Sequence, residues 1–362
     1  MLHLPTYQDL SAEQVEVHNM PPEGIHLVVG PPGSGKTVVA LRRTHNLSNQ
    51  AKEPVVLIYN HTLEDYLGSA MQELGIAGNV DTQLSWFGGW YQAEFGEWVP
   101  NVTRYVPDWD RVLDRLAEEE FTQVDHVLID EGQDFNPLFF RVMRKVARNL
   151  MVFADENQRL TEQNSTLEDI RKNLRLQPGQ VRHLTRNYRN SRPIAEFAAQ
   201  FYSGMRTGIP DLPDRVGDKP SVLLKRDTNS MVGVIERAVA NNPGASIGVF
   251  LPSVSLVRSY FNRLNARQPG RVQMYESGAG HQMDFAGKQI TILAYPSAKG
   301  LEFDRVYLPE LQTQRTDANP DSTKMKFYVL CSRAREHLVL ATADNAIPHL
   351  MAHVPARLFE QR

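Results

Sequence analysis

Apolar residues in this chain gather in short unbroken runs rather than in strict alternation. The first half carries IHLVVG (25–30), VVLIY (55–59), HVLID (126–130) and LMVFAD (150–155). The second half carries VRHL (181–184), SIGVFL (246–251), QITILAY (289–295), RVYLPE (305–310) and HLVLAT (337–342). Runs of this length, rich in β-branched residues, predict strands, and the lack of alternation predicts strands covered on both faces. Between them the spacing turns helical: PLFFRVMRKVARN (137–149) places Phe140, Val142 and Val146 on one broad face. Strand followed by helix, repeated, is the pattern of an α/β protein with parallel sheets. Proline and glycine in LQPG (176–179) punctuate two such series, so a hinge is expected there, dividing the chain into domains 1–177 and 178–362. TGIPDLPDRVGDKP (207–220) reads as a loop within the second domain.

Composition adds bounds. With 362 residues, 41% apolar and 22% charged, the chain has the make-up of an ordinary globular protein with room for two cores. The formal charge of −3 shows no overall basic character, although a local basic groove would not register in that sum. The single cysteine, Cys331, has no internal partner for a disulfide and reads as packing. MLHLPTYQDLSAEQ has neither a basic start nor an apolar run, and no stretch approaches the ~20 apolar residues of a membrane span. A soluble, cytoplasmic protein without a membrane partner is expected.

Chemistry enters at GPPGSGKT (30–37), which follows an apolar run and precedes a helical pattern. Strand, glycine loop and helix in that order form a phosphate cradle, G-x-x-x-x-G-K-[ST]. Gly30, Pro31, Pro32, Gly33, Ser34 and Gly35 supply the loop whose backbone N–H groups close on phosphate oxygens. Lys36 is placed to reach the β- and γ-phosphates and Thr37 to ligate Mg²⁺. ATP and Mg²⁺ are the expected cofactors.

VLIDEGQDF (127–135) sets a question, because carboxylates crowded at the end of a buried strand repel each other and lose solvation. A metal ion, a hydrogen-bond network or a solvated loop would each relieve them. Beside a phosphate cradle the metal is favoured: Asp130, on a neighbouring strand end, holds Mg²⁺, and Glu131 orients or deprotonates the attacking water.

With DEGQD the chain resembles the UvrD/Rep branch of superfamily 1 helicases, whose usual form is DEAQD or DEFQD. The resemblance runs from about residue 10 to residue 342 with motifs in family order. It implies two RecA-like P-loop NTPase domains with parallel sheets and an ATP site in the cleft between them. Gln14, in LSAEQ, stands where the family reads adenine. In LTRNYRNS (184–191), Tyr188 is the residue that stacks on adenine and Arg189 the one that reaches the γ-phosphate. Gln158, in FADENQRL, senses the γ-phosphate; Glu302, in SAKGLEF, accepts a ribose hydroxyl; and Arg333, in YVLCSRA, is the arginine finger. VLIYNHTLEDYL (56–67) and DTQLSW (81–86) resemble strand-touching motifs, which makes Tyr59, Asn60, Thr82 and Trp86 candidates for nucleic-acid contact, with core packing or helix capping as the alternative. Lys299 joins them from the Lys–Gly turn.

Departures matter equally. Ala154, Ala294 and Pro296 replace a usual glycine, threonine and histidine, and TEQNSTLEDI (161–170) replaces the segment whose aromatic residues stack on bases. The large insertions are missing, leaving a reduced one at 87–120 whose aromatics point to a small packed helical pair, with contact to a strand as the alternative. Two readings follow. In the first, an ATP hydrolase works as a helicase or translocase on single-stranded DNA, 3′ to 5′, beside a partner such as a nuclease, with RNA open as the strand. In the second, the chain is an ATP-gated regulatory subunit with little unwinding of its own. No histidine or cysteine spacing suggests zinc.

Overall fold

The computed structural model describes residues 7–104, 106–155, 164–204, 209–276, 282–314 and 320–362. The chain divides into two compact units: one runs to Pro31 and from Gly35 to Thr185, and the other takes in Pro32–Ser34 and Arg186–Arg362.

In the first unit the strands are β1 (Ile25–Val29), β2 (Val55–Ile58), β3 (Asn79–Thr82), a small hairpin of β4 (Asn101–Thr103) and β5 (Val106–Pro107), β6 (Val124–Ile129), β7 (Ala147–Ala154) and β8 (Val181–His183). Six of them make a parallel sheet in the order β3-β2-β6-β7-β1-β8. The helices are α1 (Ala12–His18), α2 (Lys36–Asn49), α3 (His61–Glu73), α4 (Gln83–Phe95), α5 (Trp109–Glu118), α6 (Pro137–Val146) and α7 (Leu167–Leu174). Leu27, Leu57, Ile129 and Val152 of the central strands share one core with Phe87 of α4, Val112 of α5 and Phe139 of α6. Strands buried on both faces need no alternation, which is why their sequences read as continuous apolar runs.

β8, the strand after the Pro–Gly turn, pairs with β1, and the first unit runs to Thr185. One expectation shifts. β6 is not next to β1: β7 lies between them. The stretch 87–120 forms a packed pair of helices, with Phe87 and Trp109 edge to face at 5.2 Å, and a hairpin, with the exposed Trp98 in the connection between α4 and β4.

The second unit holds β9 (Ser221–Leu223), β10 (Ile247–Leu251), β11 (Val272–Met274), β12 (Ile290–Ala294), β13 (Phe303–Leu308), β14 (Ala334–Ala341) and β15 (Glu360–Gln361). They form a parallel sheet in the order β11-β12-β10-β13-β14-β9-β15. Its helices are α8 (Arg192–Ala198), α9 (Thr228–Asn241), α10 (Val254–Arg267) and α11 (Pro320–Cys331). Ile247, Val249, Ile292 and Val339 pack against Ile235 of α9 and Val257 of α10. Cys331 is buried, and burial pushes its thiol pKa up, as befits a packing residue. Among the described residues no helix is long and apolar enough to cross a membrane.

Candidate active site

The phosphate loop leaves the C-terminal end of β1 and enters α2, whose N-cap Gly35 has φ +86°. A side chain at Gly35 would be strained there, and its Cβ would lie 2.2 Å from Gln14 Nε2. Gln14 thus lies against the loop. It is buried and occupies the third position of α1, where its Oε1 accepts from Ser11 N–H at 3.0 Å while Ser11 Oγ accepts from Gln14 N–H at 3.2 Å.

Lys36 is buried, and its Nζ donates to Gly30 O at 2.7 Å and Pro31 O at 3.1 Å, with Asp155 Oδ2 at 3.7 Å. The ammonium is therefore neutralised and hydrogen-bonded within the loop it serves. Asp155 follows β7, the strand between β6 and β1, and was not singled out from sequence. The signal was present, since Asp155 closes the apolar run 150–155 as Asp130 closes its own.

Thr37 Oγ1 donates to Asp130 Oδ2 at 2.7 Å. Burial, and next the charge of Glu131, push the Asp130 carboxyl up to about 6, against the opposing pull of Thr37 and Lys36. A hydroxyl and a carboxylate in contact, the latter uncomfortable as an anion, are hard oxygen donors suited to Mg²⁺. Among the described residues no group of three or more His, Cys, Asp or Glu side chains converges as a cage. Magnesium bound with a nucleotide takes most of its ligands from phosphates and water, so the pair fits the ion.

The hydrogen-bond network raised as an alternative is also present. Glu131 has φ +53°, its N–H donates to Asp130 Oδ1 at 3.0 Å, and its carboxylate accepts from Gln133 Nε2. Gln133 Oε1 in turn accepts from Asp155 N–H at 2.8 Å. Gln133 thus ties the end of β6 to the end of β7, a role the sequence showed only as the amide in DEGQD. Gly132 is pressed onto β7: a Cβ there would meet Val152 Cγ1 at 2.6 Å, which accounts for glycine where the resembling family carries alanine or phenylalanine.

In the second unit Arg189, Glu302 and Arg333 come together. Arg189 Nε donates to Glu302 Oε2 at 2.6 Å. Burial alone would raise the Glu302 pKa, but Arg189, Arg335 and Arg333 hold it below the usual carboxylate range. Arg333 is fully buried, donating to Val329 O at 3.2 Å and Leu301 O at 3.4 Å. Tyr188 is exposed, with the Arg186 guanidinium 5.8 Å from its ring centre.

Of the nucleic-acid candidates, Tyr59, Asn60 and Thr82 lie at the adjoining ends of β2 and β3, where Ile58 pairs with Thr82. Asn60 caps α3 by accepting from Leu63 N–H at 2.8 Å, and Thr82 caps α4 by accepting from Ser85 N–H at 3.4 Å. Trp86 packs on the core and Lys299 is buried, whereas Tyr59 is exposed and edge-on to Phe135 at 6.2 Å. Gln158 lies outside the described residues.

A glycine loop closing on a buried lysine, on one of two parallel sheets, has the form of a RecA-like P-loop NTPase with two such domains. Comparison with known proteins places it more closely. A family profile described as "Schlafen group 3, DNA/RNA helicase domain" matches residues 23–231, and one described as "UvrD-like helicase C-terminal domain" matches residues 272–345. The first spans over half of the chain, and the chain belongs to that helicase family. The UvrD-like resemblance of its motifs is borne out by the second. No curated protein matches the chain. One similar solved structure is the C-terminal domain of a possible DNA helicase from Lactobacillus plantarum WCFS1, 22% identical, with a TM-score of 0.37, covering 48% of this chain and 98% of that one.

Proposed function

We propose that this helicase-family protein hydrolyses ATP to move on single-stranded nucleic acid, with DNA as the strand and 3′ to 5′ as the direction. The observation that carries the reading is the Thr37–Asp130 contact of 2.7 Å beside the buried Lys36. In this mechanism the loop N–H groups and Lys36 bind the β- and γ-phosphates; Thr37 and Asp130 would hold Mg²⁺, and the ion would supply charge to offset that developing on the phosphates. Glu131 takes the proton of the attacking water, and Gln133 fixes its orientation. Gln14 and Tyr188 recognise adenine, and Arg189, Glu302, Arg333 and Gln158 complete the nucleotide contacts. Outside the ATP chemistry, a partner such as a nuclease supplies strand cleavage.

A second reading, an ATP-gated regulatory subunit, is favoured by the capping of Asn60 and Thr82 and the burial of Lys299, which leave few of the expected strand contacts free. Steady-state ATP hydrolysis with single-stranded DNA, single-stranded RNA or duplex, and Glu131→Gln as control, separates the two. Stimulation by a single strand, lost in the variant, supports the motor. ATP binding that no nucleic acid stimulates to turnover supports the gate.

A further inference from the structure

Arg43 lies on α2, the helix that begins at the phosphate loop, and is only 5% exposed. No carboxylate is in salt-bridge contact with it among the described residues; backbone carbonyls surround it instead. Its Nη1 donates to Val17 O at 3.3 Å, His18 O at 2.9 Å and Met20 O at 2.8 Å, and its Nη2 donates to Pro21 O at 3.1 Å. These carbonyls are the C-terminal end of α1 and the turn that follows it, where a helix presents acceptors and partial negative charge.

The connectivity gives this clamp a consequence. α1 has seven residues, too few for a helix to be stable alone, and carries Gln14 in its first turn. Further ties run from α1 to β8 and to Thr185 beyond it: Glu13 accepts from Thr185 N–H at 2.8 Å and Thr185 Oγ1 at 2.7 Å, and Glu16 pairs with Arg182 at 2.9 Å. Those ties are solvent-exposed, whereas the Arg43 fork is buried. Arg43 is thus the buried link between the end of α1 and the helix that carries the loop.

We infer that Arg43 is a positioning residue for nucleotide-base recognition, setting the Gln14 amide at its distance from the phosphate loop. The inference rests on the proposed role of Gln14 in reading adenine. Arginine suits the task because a planar fork spans several carbonyls at once; lysine delivers its hydrogens from one point. With the clamp removed, α1 keeps its sequence and its Gln14 but loses its fixed register, so selectivity for the base falls while phosphate binding and the chemical step persist.

The test is equilibrium binding of MgATP and MgGTP to the full chain, with kcat measured alongside, for Gln14→Ala, Arg43→Lys, Arg43→Met and the double variant. Gln14→Ala is expected to reduce the preference for ATP over GTP by roughly tenfold. Arg43→Met should reproduce most of that loss by weakening ATP rather than GTP, with kcat within about twofold, and Arg43→Lys should fall between. In the Gln14→Ala background, Arg43→Met should change the preference little further. If Gln14→Ala lowers the preference and neither Arg43 variant does, the positioning role is overturned while the site reading stands. If Gln14→Ala leaves the preference intact, the reading of Gln14 fails and the inference falls with it. Should Arg43→Met not fold, Arg43→Lys decides: equal weakening of ATP and GTP marks a merely structural arginine.

Discussion

At the scale of single residues, the active site stores its instability in carboxylates. Asp130 titrates near 3.8 in the unfolded chain and is pushed up to about 6 when folded. Below 3.8 both states are protonated and nothing is lost. As pH rises from 3.8 through 6 the unfolded state ionises first, so stability falls, and above 6 the whole penalty is present. Asp130→Asn should therefore stabilise the fold at pH 8 by on the order of 1–3 kcal/mol, read as a higher melting temperature, and have little effect at pH 4. The same variant should lower ATP turnover at least ~100-fold. Thermal unfolding at the two pH values checks the first part, and equal shifts at both would refute it. The opposite logic governs Glu302, whose charge answers Arg189, Arg333 and Arg335. Glu302→Ala takes from the part-buried Arg189 guanidinium the carboxylate it donates to, and a loss of about 3 kcal/mol or more is expected in denaturant unfolding. Adding Arg189→Ala to it should recover part of that loss; purely additive effects would show that the two side chains do not act as a pair.

At the scale of elements, the central strands of both sheets were legible because burial on two faces leaves an unbroken apolar run. The strands missed from sequence are β3, β9, β11, β15 and the β4–β5 hairpin. β3, NVDT, is a polar edge; β9 and β11 have three residues each, and β15 has two. Local motifs were equally legible: Lys36, Thr37, Asp130 and Glu131 work through the backbone turn that carries them. Gln133, Asp155 and Arg43 were not, because their roles depend on which strand or helix lies alongside, and β7 between β6 and β1 is a fact of topology. Elements also carry a pH response. Burial first, and then Arg43 and other arginines, lower the pKa of His18 at the end of α1; burial likewise leads the lowering for His26 in β1, outweighing its bond to Glu23 O. The unfolded chain binds these protons first as pH falls below about 6.5, so this contribution to stability declines from there and is lost below the folded values. Asp130 has the opposite slope in the neighbouring window, so the experiment belongs in the Asp130→Asn background. There the melting temperature should fall between pH 7.5 and 5.5, and His18→Gln with His26→Gln should flatten that fall; an unchanged slope would sink the assignment.

At the scale of the whole molecule, the question is what a helicase-family chain with a small insertion and a charge of −3 does with a strand. The stretch 87–120 buries most of its aromatics in the first core, which among the described residues leaves Trp98, in the connection before the hairpin, as the aromatic offered to solvent there. Asn60 and Thr82 are occupied as helix caps and Lys299 is buried. A strand held by few lysines and arginines releases few counterions, and for single strands the slope of log K against log salt is about −0.7 per phosphate neutralised. A slope of about −2 to −3 is therefore expected for single-stranded DNA, corresponding to about three or four phosphates. On the proposed motor reading, few basic contacts to the strand would give stepping on single strands and stalling at long duplexes without a partner. Fluorescence titration between 50 and 300 mM salt, roughly the range where screening changes fastest, gives the slope. Strand displacement on duplexes of graded length gives the unwinding limit. A steep slope with processive unwinding by the chain alone would mean that its strand-binding surface is far larger than these residues supply, and that no partner is needed.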